Sequence, residues 1–338
     1  MADTILHDSA MRLFAGEATP VVLAEAEDGL WPGALWDAVE AAGYLDVLVD
    51  GPANMVEAAT ILRAAGYHAA PVPLVETMLA RWLCAAVQLE APAGVLTLAP
   101  VEPDEALIIG GGAVSGSAGH IPWGLESAAV VVLAGREIAV ASSGAFGWDA
   151  SDNLAHEPRD HLSAAGARVA ARELPAGVDR EAVLRLGALL RAAQMGGAME
   201  AALDISVEYA NARVQFGRPI GRFQAIQHQI AVLAEHAAAT LVAVENAARA
   251  VAEDRDSAGF ACAAGKIRAG EAAGKVAEIA HQVHGAIGFT QEYRLHHVTR
   301  RLWSWRDEFG SEAYWARTLG RQIAMAGDNG LWPLITTP

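Results

Sequence analysis

The stretch LRLGALLRAAQMGGAMEAALDISVEYANAR, Leu184 to Arg213, runs without a proline, and Asp179 stands just upstream where a helix N-cap belongs. Counted from that cap, the helix is about 34 residues and roughly 50 Å long. Working outward toward the C-terminus, the chain breaks at VQFGRP and becomes helical again from Gln224 to Ala252. A third helix is predicted from Ser257, as N-cap, to His284, with Gly285 ending it, and a shorter one follows Ser311. Long helices with short links imply an antiparallel four-helix bundle. The segments AAGKIRAGEAAGK and LVAVENAARAVAE are rich in alanine, so these helices can approach closely. Helices this long leave faces that one domain can hardly cover, which predicts a subunit interface.

Working outward toward the N-terminus, the pattern changes. GVLTLAP, ALIIG, AVSGSAG, AAVVVLAG and EIAVASS are short apolar or β-branched runs between Gly, Pro and Ser, which is the pattern of strands and turns. Gly110-Gly111-Gly112 resembles a phosphate loop, but no helix follows it, so it reads as a hairpin turn. The first ninety or so residues are helical again. Leu35, Val39 and Ala42 share a face and stop at Gly43, Val56 to Ala65 form a second stripe ended by Gly66, and Pro73 opens LVETMLARWLCAAVQL. The expected fold is mostly α with a small β domain: N-terminal helices over 1–91, a middle β domain over 92–174 and a C-terminal four-helix bundle over 175–338.

Composition narrows the function classes. The chain has 338 residues, 53% hydrophobic and 19% charged, which is ample for large cores. Forty acidic against 24 basic residues give a net charge of -16. That balance argues against non-specific nucleic-acid binding and against docking on anionic membranes. The segment MADTILHDSAMRLFAG lacks the positive and apolar regions of a signal peptide, and the longest uncharged run, Ala106 to Leu125, is full of Gly and Ser. Cys84 and Cys262 lie far apart in apolar helical patterns and read as two buried thiols. The expectation is a soluble cytoplasmic protein.

Two stretches carry chemistry: YANARVQFGRPIGRFQAIQHQIA, residues 209–231, and QVHGAIGFTQEYRLHHVTRR, residues 282–301. Arg213 and Gln215 follow the last helical turn before Pro219, and a guanidinium fork suits a pyrophosphate. Phe216 offers a flat face, Gly217 permits a turn, and Phe223 and Gln224 begin the next helix. Together the two stretches resemble the acyl-CoA dehydrogenase family, as do LWDAVEAAGYLDVLV and LRAAGYHAAPVPLVET in the N-terminal helices. The resemblance implies FAD held by Arg213, Gln215, Phe216, Phe223 and Gln224. It also implies a segment at Gln282, Gly285 and Ala286 that reaches the FAD of a neighbouring subunit, with Ala286 replacing the second glycine of the family pattern.

The reaction implied is α,β-dehydrogenation of an acyl-CoA thioester, in which a carboxylate takes the α proton and the β hydride passes to the flavin. Hydrogen bonding to the thioester oxygen and a base raised by a dry site assist it. The family glutamate falls on Phe309 here, and a second family position falls on about Gly187. Shifting the loop by one residue brings in Glu308 as base, with Asp307 and Glu312 behind it; alternatively Arg306, Asp307 and Glu308 form a solvated or paired charge cluster. The β region lacks the family's Gly-Ser-Asp part, and His120, Pro122 and Trp123 in GHIPWGLESA are placed to face the isoalloxazine, although Trp123 reads equally as a core anchor. Shortened chains without the base resemble subunits of mixed complexes, many acting on acyl side chains or rings of sterol-like CoA thioesters. The alternatives are therefore a dehydrogenase active alone or in a homo- or hetero-oligomer, dimer or tetramer, and a non-catalytic subunit that completes a flavin site. A dehydrogenase needs an electron-transfer partner, an oxidase would admit oxygen, and no residue decides between them. His281 and His284, with His296-His297 nearby, lack a third ligand of convincing spacing, so no metal is expected. Trp303, Trp305, Tyr314 and Trp315 read as packing.

Overall fold

The computed structural model describes residues 2–327 and 331–336. Five helices come first: α1 (Ala2–Glu17), α2 (Pro20–Glu27), α3 (Gly33–Ala41), α4 (Met55–Tyr67) and α5 (Leu74–Ala86). Eight strands follow: β1 (Leu96–Ala99), β2 (Ile108–Gly110), β3 (Ala113–Pro122), β4 (Ala129–Ala134), β5 (Glu137–Ser142), β6 (Gly147–Asp149), β7 (Arg159–Arg168) and β8 (Ala171–Glu173). They form two four-stranded sheets, in the orders β1-β4-β5-β8 and β2-β3-β7-β6. The remainder is helical: α6 (Arg180–Ala212), α7 (Gln224–Ala252), α8 (Ala258–His284), α9 (Leu295–Trp305) and α10 (Glu312–Ala326), with a two-stranded hairpin of β9 (Val214–Gln215) and β10 (Arg218–Pro219) between α6 and α7. The order helices, β sheets, helices is the expected one.

The strand runs are continuous in apolar character because the first sheet is covered on both faces. Along β4, Val131 and Leu133 join the large core shared with the helices, while Val130 and Val132 join a smaller core between the sheets with Ile121, Leu162 and Phe146. A strand buried on both sides shows no alternation of polar and apolar residues. The three glycines form the turn of the β2–β3 hairpin, with Gly111 and Gly112 at positive φ. Strands β6 to β8 carry no strand signal in the sequence: in RDHLSAAGAR the buried residues are Arg159, Asp160, Leu162 and Ala164, and the β-branched residues that mark strands are missing.

The helix ends follow local chemistry. Asp179 accepts the Ala182 N–H at 2.8 Å and starts α6, and Ser311 accepts from Tyr314 to start α10. Ser257 precedes α8 without a capping hydrogen bond. Helix α9, LHHVTRRLWSW, was not separately expected; its apolar face is interleaved with histidine and arginine that prove to be buried. Helices α6 and α8 are parallel: Arg185 lies beside Gly259 at one end and Tyr209 stacks on His284 at the other. By length and composition α7 alone among the described residues is apolar enough to cross a membrane, and only 28% of its most apolar window is buried. It packs against α6 and α8, and its open face mixes alanines and Val242 with Glu235, Glu245 and Asn246.

Helices α4 and α6 cross backbone to backbone. A Cβ added at Gly66 would lie 1.9 Å from the Gln194 carbonyl oxygen, and one at Gly197 would lie 1.9 Å from that of Arg63. The bidentate Arg63–Glu200 pair, with Nε at 2.6 Å, closes the crossing on one side. Replacing Gly197 by alanine is expected to destabilise the chain by about 2 kcal/mol or more, because backbone has to move. Gly274→Ala on α8, where no atom stands within 4 Å of the added methyl, is expected to stabilise by about 0.5–1 kcal/mol. Denaturant unfolding of both variants beside wild type checks the contrast.

Candidate functional site

The segment after α6 is built for exposure. The pairing of Gln215 with Arg218 leaves Phe216 and Gly217 as a two-residue turn, both at positive φ. A left-handed phenylalanine costs conformational energy, and Phe216 recovers none by burial, since its side chain is 92% exposed. Its ring meets Phe223 edge-on at 6.1 Å, and the Arg218 guanidinium sits 4.3 Å over Phe223. Arg213, Gln215 and Gln224 are exposed and make no side-chain hydrogen bond or ion pair among the described residues. An unpaired guanidinium beside a flat aromatic face fits an anionic nucleotide.

The second segment emerges at the same end of the bundle. Gln282 is exposed on the last turn of α8, and Gly285 takes φ +64 to end the helix. Ala286 is absent from the positive-φ residues, so the alanine in place of glycine sits without strain. Behind this turn His284 stacks on Tyr209 at 4.5 Å and His281 stacks on Phe289 at 4.1 Å. Burial lowers the pKa of both imidazoles and keeps them neutral. Among the described residues they belong to no trio of possible metal ligands. Phe289, Ile287, Val214 and Val207 add exposed apolar surface around the two segments.

The place expected for the base is different in kind. Phe309 is buried, and its ring lies against Gly187, where an added Cβ would stand 2.3 Å from Cδ1. The two positions that the resemblance assigns to a carboxylate thus face each other, and a phenyl ring fills the space between. The cavity beside Phe309, lined by Leu98, Val101, Leu133, Val183 and Leu184, holds about 10 Å³, scarcely one water.

Glu308 sits within a buried charge network. Its Oε1 accepts from Arg159 Nε at 2.8 Å, and its Oε2 lies 2.9 Å from Arg191 Nε, a charge contact in which the N–H is not aimed at the oxygen. Arg191 also pairs with Glu76 of α5, which is fully buried. Arg159 reaches Glu157 at 3.0 Å, and Glu157 accepts from Arg301 at 3.0 Å and from Trp305 Nε1 at 2.9 Å. Burial alone would raise the Glu157 carboxyl, but Arg301, Arg159 and Arg191 hold it below its ordinary range. Burial pushes Glu76 upward, with Arg191 pulling against it. Asp307 is exposed, and Glu312 pairs with Arg306 at 3.0 Å, which lowers its carboxyl. Trp123 is buried beneath Arg159, 4.7 Å from the guanidinium carbon, while His120 is exposed.

Arg159, Arg191, Glu76 and Arg301 were not singled out in the sequence. Their signal is faint: a lone charge in an apolar run, as in LVETML and GALLRAAQM. Lys266 gives the same signal. Its Nζ is buried and donates to the Arg306 and Gly310 carbonyls at 2.7 and 2.8 Å, clamping the loop that carries Glu308 and Phe309.

The order of helices, β sheets and long-helix bundle defines the acyl-CoA dehydrogenase class of folds. Residues 177–324 match the family described as acyl-CoA dehydrogenase, C-terminal domain. Acyl-CoA dehydrogenase IpdE2 of Mycobacterium tuberculosis is 40% identical over 114 residues, 34% of this chain and 34% of that protein. Glutaryl-CoA dehydrogenase of Desulfococcus multivorans is 42% identical over 97 residues, 29% of this chain and 25% of that protein. The chain thus matches about a third or less of the length of these curated relatives. Solved structures match along nearly the whole chain. The Tcur3481–Tcur3483 steroid ACAD variant has a TM-score of 0.85 at 25% identity, covering 96% of this chain and 98% of that one. The ChsE4–ChsE5 complex from Mycobacterium tuberculosis has a TM-score of 0.85 at 23% identity, covering 96% and 97%. Residues 177–324 thus form an acyl-CoA dehydrogenase C-terminal domain, and the chain as a whole has the fold of acyl-CoA dehydrogenases.

Two stability predictions follow from the network and the clamp. Glu308→Gln leaves Arg159 and Arg191 facing a neutral group, and is expected to cost about 3–5 kcal/mol in denaturant unfolding. Burial holds the Lys266 ammonium down to about 7 from the ordinary 10.5. Between those values the unfolded chain binds a proton that the folded chain does not, so folding is favoured as pH rises. The stability of wild type relative to Lys266→Met is therefore expected to climb from pH 7 to 9.5, by at most about 1.4 kcal/mol per pH unit, and to be flat below 7.

Proposed function

We propose that this chain serves the α,β-dehydrogenation of an acyl-CoA thioester as one subunit of a mixed oligomer, gripping FAD at a shared edge while its partner subunit supplies the base. The observation that carries this reading is the buried ring of Phe309 against Gly187, with Glu308 between two arginines and room beside Phe309 for scarcely one water. An acyl chain has no place there. The flavin, when bound, accepts the β hydride. Arg213 would neutralise its pyrophosphate, Phe216 and Phe223 would offer aromatic faces near the adenine, and Gln215 and Gln224 would supply amides. Gln282, Gly285 and Ala286 would approach a nucleotide bound across the subunit boundary, where the exposed Ile287 and Phe289 support a docked neighbour.

The similar structures support a mixed assembly, since one is named as a ChsE4–ChsE5 complex, and a sterol-like thioester fits the steroid ACAD among them. The electrons would leave through an electron-transfer partner. A second reading, with Glu308 as base in an active homo-oligomer, is favoured by its Oε2, which accepts no hydrogen bond. It requires both arginines to withdraw.

The test is purification of the chain alone and together with a longer homologous subunit. The chain alone is expected not to bleach flavin with acyl-CoA, while the mixed complex does. Arg213→Ala is expected to weaken FAD retention by roughly 10- to 100-fold, the worth of a charge-assisted hydrogen bond. In the mixed complex Glu308→Gln is expected to lower thermal stability and leave turnover per flavin nearly unchanged. A fall of about 100-fold or more with full flavin content would instead make Glu308 the base.

A further inference from the structure

Behind the turn that follows α8, the end of α2 meets the start of α9. Glu27, His296 and His297 bring one ligand atom each within 4.8 Å of one another, and this is the one such trio among the described residues. Both imidazoles face the same carboxylate oxygen. His297 Nδ1 lies 2.8 Å from Glu27 Oε1 and His296 Nε2 lies 3.7 Å from it. The other oxygen, Oε2, is engaged by Arg300 at 3.3 Å, and Arg300 is itself held by the Leu154 carbonyl. His296 Nδ1 donates to the Tyr293 carbonyl at 2.7 Å, which leaves the lone pair on Nε2 pointing at Glu27. An imidazole oriented through its far nitrogen by a backbone carbonyl is how proteins prepare a metal ligand.

The trio is also reachable. It borders a cavity of about 500 Å³ open to solvent, whose wall adds Asp28 and Glu292, and Glu208 in its ion pair with Arg294. These carboxylates make the approach attractive to a cation, and the cavity gives space for water to complete a coordination shell. Both histidines expose less than a tenth of their surface, and nothing in the flavin-edge reading uses them.

We propose that Glu27, His296 and His297 form a divalent transition-metal site, suited to zinc by its two nitrogen ligands and one oxygen ligand, with water filling the remaining position. The ion would replace the proton between His297 and Glu27 and tie the N-terminal helices to the bundle through α2 and α9. The site is independent of the flavin and acyl-CoA reading.

The experiment uses the full chain, chelator-treated and free of any affinity tag, titrated with cobalt(II) and followed by its visible absorption. The expected result is one cobalt per chain with the intensified bands of four- or five-coordinate N/O ligation, displaced by zinc. Zinc at about 100 times its Kd is expected to raise Tm by several degrees. His297→Asn, which keeps a donor toward Glu27, and Glu27→Gln are each expected to weaken binding on the order of 100-fold. Cobalt that keeps its weak aqueous spectrum with wild type overturns the site whatever the variants do. Equal binding by wild type and a folded variant overturns it as well.

Discussion

Six buried charges hold the three parts of this chain in register. Glu76 comes from the N-terminal helices, Glu157 and Arg159 from the β region, and Arg191, Arg301 and Glu308 from the bundle. Three carboxylates face three guanidinium groups, so the set is neutral as a whole and intolerant of losing a member. Such a network adds little net stability over an apolar filling of the same volume, because desolvation offsets most of the Coulombic gain. What it adds is geometry. Each guanidinium tolerates only certain angles, so sheet and bundle meet at one position.

From this follows a division of the molecule into a closed interior and an open edge. The interior at Gly187 holds a phenyl ring, with an ion cluster and the Lys266 clamp beside it. The chain's exposed effort goes into the hairpin at Phe216, whose phenylalanine is held in left-handed backbone without burial to reward it, and into the glycine turn at Gly285. Strain that packing does not explain marks surfaces made for something absent from the isolated chain. A closed interior and an open, unpaired edge are what the proposed role, a subunit that helps to form a flavin site, would require.

Much of the frame was legible in the sequence. Asp179 and Ser311 are caps whose hydrogen bonds are local, and the Gly285 stop needs only its own φ, so reading along the chain finds them. The hairpin at Gly111 and the start of α7 at Gln224 were legible for the same reason. Strand β7 was not, because its partner β3 lies some fifty residues away and its own side chains are small and polar. The charge network was not legible either. Arg191 and Glu76 stand 115 residues apart, and neither sequence neighbourhood hints at the other. Glu27 and His297 are separated by still more chain, and the paired histidines alone look like a solvated helix start.

The strand Ala129–Ala134, buried on both faces, carries a liability during synthesis. Its neighbour β1 pairs with it in parallel, so the ladder closes only after the intervening chain has turned back, and the helical side is covered only when the later bundle has been made. In that interval AVVVLA is an uncharged, β-branched segment of the kind that assembles with copies of itself. Glu126 before it, with Arg136 and Glu137 after it, place charges at both ends, where stacking of identical strands would bring like charges together.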